Sequence, residues 1–339
     1  MAPMKLRDLG EFGLIDTIRA RAATAPGVRR GIGDDAAELE LPAGERLLTS
    51  TDLLLEAVHF DFAWISPFDL GAKAVAVNLS DIAAMGGTAR FLYVGLACPA
   101  DAAIADLDAF IDGVLTEAGC HGAVLVGGDT CRSPGPWIIS VTVEGSVPAG
   151  EAVGRDGARP GDRLLVSGTL GDSALALALW QEGSVPEPFL AARHCRPTPR
   201  LALGRELARL GLASAMIDLS DGLAADLQHI LESSGVSAEV NRADLPLSSA
   251  FREHLDREPH RFDLALGGGE DYELLCSVPA SRVNEALAAA SRLGVPLTPI
   301  GTLLPGAAGL LLRDPDGSAR PLRVRGYDHF CPVQEPAVQ

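Results

Sequence analysis

Aspartates at the ends of apolar runs, each beside glycine, serine or threonine, are the residues of this 339-residue chain best suited to chemistry. They fall in Gly33-Asp34-Asp35, Ser50-Thr51-Asp52, Leu79-Ser80-Asp81, Gly127-Gly128-Asp129-Thr130 and Asp218-Leu219-Ser220-Asp221-Gly222. Clustered carboxylates repel one another and need cations. Hard divalent ions such as Mg²⁺ take oxygen ligands and commonly bring substrate phosphates with them. The pattern predicts a metal-bridged phosphate site. A further segment, Gly267 to Glu273, sets three glycines before three acids and reads as a ligand-contacting loop or a flexible link before a strand.

Each motif also has an ordinary reading. Asp81 and Asp221 are expected to open helices, where aspartate is a favoured N-cap. Asn78 and Asp218 just upstream, however, add more side-chain oxygens than one cap uses. Gly33-Asp34-Asp35 reads equally as a tight turn or as part of a site. Ser50-Thr51-Asp52 ends a strand with three polar side chains in a row, which an ordinary buried strand avoids because unpartnered polar groups are costly to bury. Gly127 and Gly128 allow close backbone approach to a ligand. His59 and Phe60 suit either a core or a site. Arg155 is a surface residue unless phosphate lies nearby, when it becomes a bidentate cation.

The formal charge of −17 argues against nucleic acid or an anionic membrane as partner. It also demands local cations for any phosphate. Lys5 and Lys73 are the only lysines, and neither stands in a Gly-Lys-Ser/Thr loop. Lys73 also lacks the surrounding signature of a protein kinase, so its replacement by alanine should leave turnover largely intact. The six cysteines (Cys98, Cys120, Cys131, Cys195, Cys276, Cys331) form no CxxC pair. They read as free thiols of a cytoplasmic protein rather than a disulfide or zinc framework. No apolar run has the length of a membrane span, and Met1 to Leu14 lacks the pattern of a secretory signal.

The elements that must position these residues alternate between helix and strand. Helices are expected over Leu9–Arg21, Asp69–Met85, Asp101–Ala118, Asp172–Gln181, Pro199–Leu210 and Ser281–Leu293, with a further apolar helical face from Leu223 to Leu231. Strands are expected over Arg46–Asp52, Phe91–Cys98, Ala123–Val126, Trp137–Val147, Arg163–Ser167, Ala215–Leu219 and Tyr272–Val278. A turn-rich stretch from Pro148 to Gly161 marks a boundary. The fold class is therefore α/β, as two mixed α/β domains, residues 1–148 and 149–339.

The motifs together resemble those of the thiamine-monophosphate kinases, a family within the ATP-binding superfamily that includes aminoimidazole ribonucleotide synthetase. The matching text is GIGDDAA (Gly31 to Ala37), STDLLLEAVHF (Ser50 to Phe60), NLSDIAAMGG (Asn78 to Gly87), GGDT (Gly127 to Thr130), GRDGARPGD (Gly154 to Asp162), IDLSDGLAADL (Ile217 to Leu227), GGEDYELL (Gly268 to Leu275) and GYDHF (Gly326 to Phe330). The resemblance implies phosphorylation of thiamine monophosphate to thiamine diphosphate by ATP, the last step of thiamine diphosphate biosynthesis. It implies a homodimer whose N-terminal domains pair through their sheets, with ATP near that pairing. It gives Asp34, Ser50, Thr51, Asp52, Asp81, Asp129, Asp218 and Asp221 as Mg²⁺ ligands. Gly128, Asp129, Arg155 and Ser220 would contact ATP, and His59, Glu270 and Tyr327 thiamine monophosphate. Ala57 stands where the family usually has glycine, and Phe110 to Gly113 gives no assignable base contact. The alternatives are another ATP-using synthetase of the superfamily, or a non-catalytic cation- or nucleotide-binding module.

Overall fold

The computed structural model describes residues 4–306 and 308–322. Its strands are β1 (Val28–Arg30), β2 (Glu38–Leu39), β3 (Glu45–Leu55), β4 (Thr88–Cys98), β5 (Val124–Arg132), β6 (Ile138–Pro148), β7 (Arg163–Ser167), β8 (Ala215–Asp218), β9 (Val236–Asn241), β10 (Leu274–Val278), β11 (Leu297–Pro305), β12 (Leu310–Arg313) and β13 (Ala319–Pro321). Its α-helices are α1 (Leu6–Arg21), α2 (Pro67–Ala84), α3 (Ile104–Cys120), α4 (Asp172–Gln181), α5 (Pro188–Cys195), α6 (Leu201–Arg209), α7 (Leu223–Ser234), α8 (Ser249–Arg257), α9 (Phe262–Gly267) and α10 (Val283–Arg292). This is a mixed α/β fold.

The N-terminal half builds a four-stranded sheet in the order β3-β6-β4-β5. Alternation along β3 sends Ser50 and Asp52 to the face of buried Leu48 and Leu54, while Thr49, Thr51 and Leu53 face out. The inner face is covered by α2 and α3. Helix α2 starts where Ser66 accepts from the Asp69 N–H at 3.1 Å, with Pro67 in its first turn. Leu70, Leu79 and Ile82 are fully buried beneath it, each worth roughly 1.5–3 kcal/mol.

The C-terminal half forms a seven-stranded sheet in the order β13-β12-β9-β11-β7-β10-β8. The two halves meet along α2 and α6, where Ala83 and Ala84 join Leu203, Leu207 and Ala208 in one apolar cluster. A Cβ at Gly204 would stand 2.0 Å from the Ala83 carbonyl oxygen. The helices touch backbone to backbone there, and only glycine fits.

Two expectations change. Gly127-Gly128-Asp129-Thr130 does not follow a strand but lies within β5, because β4 pairs with it in parallel as far as Arg132. Asp81 does not open a helix; it sits in the last turn of α2. A carboxylate there opposes the helix dipole, so capping gives no reason for it.

Candidate active site

The cluster forms where the end of α2 crosses β3 and meets the C-terminal end of β8. Ser50 donates from Oγ to Asp81 Oδ2 at 2.5 Å. The Asp52 N–H donates to Asn78 Oδ1 at 3.1 Å, and Asn78 itself donates back to the Ala74 carbonyl at 2.9 Å. The second oxygen-bearing residue that the sequence offered here, Asn78, is thus a scaffold for Asp52. Asp218 arrives from the other half and is almost fully buried.

Three carboxylates therefore face one another with little to neutralise them. Burial, and next the charge of Asp81, push Asp52 up to about 6. Burial and then Asp81 push Asp218 up to about 7. Burial also raises Asp81, opposed by the Ser50 hydroxyl and the Arg155 guanidinium. Arg155 is exposed, and its charge reaches the cluster. This is the electrostatics of a site that wants cations.

A zipper of backbone bonds aligns the opposite wall. The Glu270 N–H donates to the Ser220 carbonyl and the Tyr272 N–H to the Leu219 carbonyl, both at 2.8 Å, and the Leu219 N–H donates to the Glu273 carbonyl at 2.9 Å. Glu270 and Tyr272 hold left-handed backbone, φ +66° and +50°, a strain that the surrounding bonds must enforce. Fully buried Glu273 supplies one anchor, accepting from Arg200 at 2.6 Å through both Nε and Nη2, from Arg193 at 2.9 Å and from Ser167 at 2.5 Å.

Sequence reasoning missed two residues of this site. Asp226, in the first turn of α7, accepts from the Asp221 and Gly222 N–H groups at 3.1 and 3.0 Å and so shapes the loop that carries Asp221. Burial, then the charges of Asp221 and Asp218, push it up to about 7. Tyr272 stands close enough to Glu270, Asp52, Asp218 and Asp81 for their charges, after burial, to hold its phenol well above the usual range. Its place inside a glycine-led acidic segment was the available signal.

His59 lies in reach of Glu270, whose carboxylate burial would raise but which Lys73, His194 and His59 together hold below the usual range. His59 Nδ1 accepts from the Leu55 N–H at 3.0 Å, and Phe60 beside it belongs to the core. Ala57 adopts φ +66°, a left-handed backbone that glycine would hold without strain. Phe110 is fully buried and meets Trp137 edge-on, ring centroids 6.1 Å apart, so it serves the core.

Asp34, Thr51, Gly128 and Asp129 stand apart. Thr51 is on the outward face, 2.9 Å from Thr142. In register, Asp52, Val141, Val94 and Gly128 form one row across the sheet, so Gly128 is about 14 Å from Asp52 by three strand spacings. Asp129 shares the next row with Leu53, on the opposite face, and is exposed. A Cβ at Gly128 would meet the Val94 carbonyl at 2.0 Å, so packing alone requires glycine there. Exposed Asp34 pairs with Arg30 at 3.2 Å. Tyr327 lies outside the described residues.

Among the described residues no three His, Cys, Asp or Glu side chains are arranged to hold a metal ion by themselves. The donor chemistry nonetheless fits Mg²⁺, which rarely relies on an all-protein cage and takes one or two carboxylates with substrate phosphates and water. The donors are all oxygen, the carboxylates are mutually destabilised, and the buried Ser80 hydroxyl lies beside Asp218.

A pH dependence follows for the metal-free protein. Asp218 and Asp226 at about 7 and Asp271 at about 8 keep protons in the folded state that the unfolded chain has already released. Stability therefore falls as pH rises through that range. His194, lowered from 6.5 to about 4, acts in the opposite sense, but only below pH 6.5. Calorimetry in EDTA should show the melting temperature falling from pH 6.5 to 8, and Mg²⁺ with nucleotide should reduce that slope.

The fold and site define a protein of the AIR synthase related class. The model of its N-terminal domain matches residues 33–147 and that of its C-terminal domain residues 159–310. Within that class, the thiamine-monophosphate kinase of Salmonella typhimurium is 42% identical over 332 residues, 95% of this chain and 98% of the relative. The crystal structure of thiamine-monophosphate kinase from Stenotrophomonas maltophilia K279a superposes with a TM-score of 0.81 at 42% identity, over 91% of this chain and 96% of that one. AaThiL complexed with AMPPCP and TMP superposes at 0.75 with 36% identity, over 97% and 100%. The chain belongs to the thiamine-monophosphate kinase family.

Proposed function

We propose that this protein transfers the γ-phosphoryl group of ATP directly to the phosphate of thiamine monophosphate, giving thiamine diphosphate and ADP. The meeting of Asp52, Asp81 and Asp218 from two halves of the chain, each carboxylate raised by burial, carries the reading. The AaThiL complex with AMPPCP and TMP supports the choice of both substrates. Bound Mg²⁺ would supply neutralisation of the two phosphate groups brought into line.

This chain's residues do the rest. Asp52, Asp81, Asp218 and Asp221 would hold the cations, and Ser50 fixes the Asp81 carboxylate by its hydrogen bond. Arg155 and Ser220 flank the phosphates. His59 and Glu270, with Tyr327, take the acceptor. The acceptor is already an anionic oxygen, so no strong general base is required. Residues 1–148 form the ATP- and metal-binding domain, and 149–339 complete the nucleotide and acceptor site.

The N-terminal sheets of two copies pair in a homodimer through the outward face that carries Thr51 and Asp129, and Asp34, Thr51, Gly128 and Asp129 would contact ATP and its cations near that seam. Leu47 and Leu53, 50% and 58% exposed on that face, support this arrangement. Light scattering should give twice the 35.3 kDa chain mass, and a monomer would refute it. The free thiols at Cys98, Cys120, Cys131, Cys195 and Cys276 support a cytoplasmic place. No helix among the described residues is long and apolar enough to cross a membrane. Turnover with ATP, Mg²⁺ and a panel of phosphorylated acceptors tests the function. Thiamine monophosphate should be strongly preferred, and ADP release with none of the panel would reject the assignment.

A further inference from the structure

Lys73 belongs to no phosphate-binding motif, yet its side chain is fully buried in α2. A buried ammonium is costly unless it is paired. Its Nζ lies 3.2 Å from Glu270 Oε1 and 3.3 Å from Oε2, and 3.5 Å from His194 Nε2. An ammonium only donates, so Nε2 must accept and the imidazole proton sits on Nδ1. There it faces Ser173 Oγ at 3.0 Å and Glu270 Oε2 at 3.3 Å.

The Glu270 carboxylate is thus gripped from two sides. The ammonium comes from α2 in the N-terminal half and the imidazole from α5 in the C-terminal half. Trp180 meets His194 edge-on at 5.5 Å and stacks on Trp64 at 5.8 Å, packing the imidazole in place. The backbone of Glu270 is fixed by its bond to Ser220. A quarter of its side chain stays exposed, so it remains available to a ligand.

We propose that Lys73 and His194 are positioning residues that hold Glu270 as a fixed anion for the cationic heteroaromatic part of the acceptor. This rests on the proposed kinase function. A carboxylate meets phosphate only through a bridging cation, and Glu270 already engages both oxygens with Lys73, so it is unsuited to the reacting end of the acceptor. It suits the heteroaromatic part, where the thiazolium ring carries a positive charge and the aminopyrimidine beyond it a hydrogen-bond donor. The ion pair fixes the carboxylate before the acceptor arrives, which reduces the ordering cost of binding. Lys73 then matters for acceptor binding without touching phosphate, and turnover at saturation stays largely intact, as the sequence leads one to expect.

The test compares Lys73→Met, Glu270→Gln and the double variant. Lys73→Met should raise KM for thiamine monophosphate at least about tenfold, leave KM for ATP unchanged and change kcat by less than about threefold. Lys73→Arg should recover part of the loss. In the double variant both charges are gone, a change that a fold commonly tolerates, and its KM should be no worse than that of Glu270→Gln alone. Unphosphorylated thiamine, used as a competing inhibitor, should weaken in parallel. Additive effects, or equal losses toward ATP and acceptor, would overturn the positioning role. A parent enzyme that turns over ATP but ignores thiamine monophosphate would instead reject the functional reading beneath it.

Discussion

Asp81→Asn is expected to lower kcat by at least about a hundredfold while leaving the metal-free protein as stable as the parent, or more so. Metal-assisted stabilisation of transition-state charge is worth several kcal/mol, and each 1.36 kcal/mol is a decade in rate. Stability should move the other way because Asp81 is poorly placed for folding. It lies in the last turn of α2, where a negative charge opposes the helix dipole. Burial raises it, and the neighbouring carboxylates Asp52 and Asp218 are raised by burial and then by its charge. Asparagine keeps an oxygen to accept from Ser50 and removes the repulsion. The measurements are kcat with saturating substrates and melting temperature in EDTA. A residue retained for the fold would give a lower melting temperature with near-normal turnover.

Removing the metal should have a still larger effect. EDTA is expected to reduce turnover by roughly a thousandfold or more, on the same several kcal/mol, with Mg²⁺ restoring it. The chain itself offers little alternative. Its net charge is −17, and Arg155 is the cation whose charge Asp81 feels. Triphosphate brought beside Asp52, Asp81 and Asp218 would add negative charge to carboxylates whose ionised forms burial already disfavours and whose charges repel one another. Unchanged turnover in metal-free buffer would remove the basis for reading the aspartates as a cation site.

Much of this arrangement was legible in the sequence, and the misses have physical causes. The ends of β7 and α4 were readable because a short apolar Leu-Leu-Val run and an alanine–leucine helix are each bounded by turn residues. The Gly127-Gly128 pair was read as ending a strand. Instead β5 runs through it, since the neighbouring β4 supplies ladder bonds that glycine's weak strand preference cannot veto. Asp81 was read as a cap because Leu-Ser-Asp resembles a helix start, but the helix expected from Asp69 to Met85 already crosses it, and α2 does so to Ala84.

The largest gap concerns pairs far apart in the chain. Lys73 and Glu270 are 197 residues apart, and nothing local marks Lys73 as buried. An alanine-rich helix with one lysine suggests a solvated charge, and only the crossing of α2 with the Glu270 loop reveals the pair. Likewise Asp226 looks like a surface position in Leu-Ala-Ala-Asp. It becomes meaningful only when the loop bearing Asp221 folds back onto it. The outward placement of Thr51 and Asp129 follows from strand register, which motif spacing does not contain.

Direct phosphoryl transfer is tested most directly by following the γ-phosphate. Enzyme incubated with γ-labelled ATP, Mg²⁺ and thiamine monophosphate should place the label on the terminal phosphate of thiamine diphosphate, with unlabelled ADP as co-product. Without acceptor the protein should remain unlabelled. Base-labile, stoichiometric label on the protein would contradict direct transfer, and AMP as co-product would contradict the kinase reaction itself.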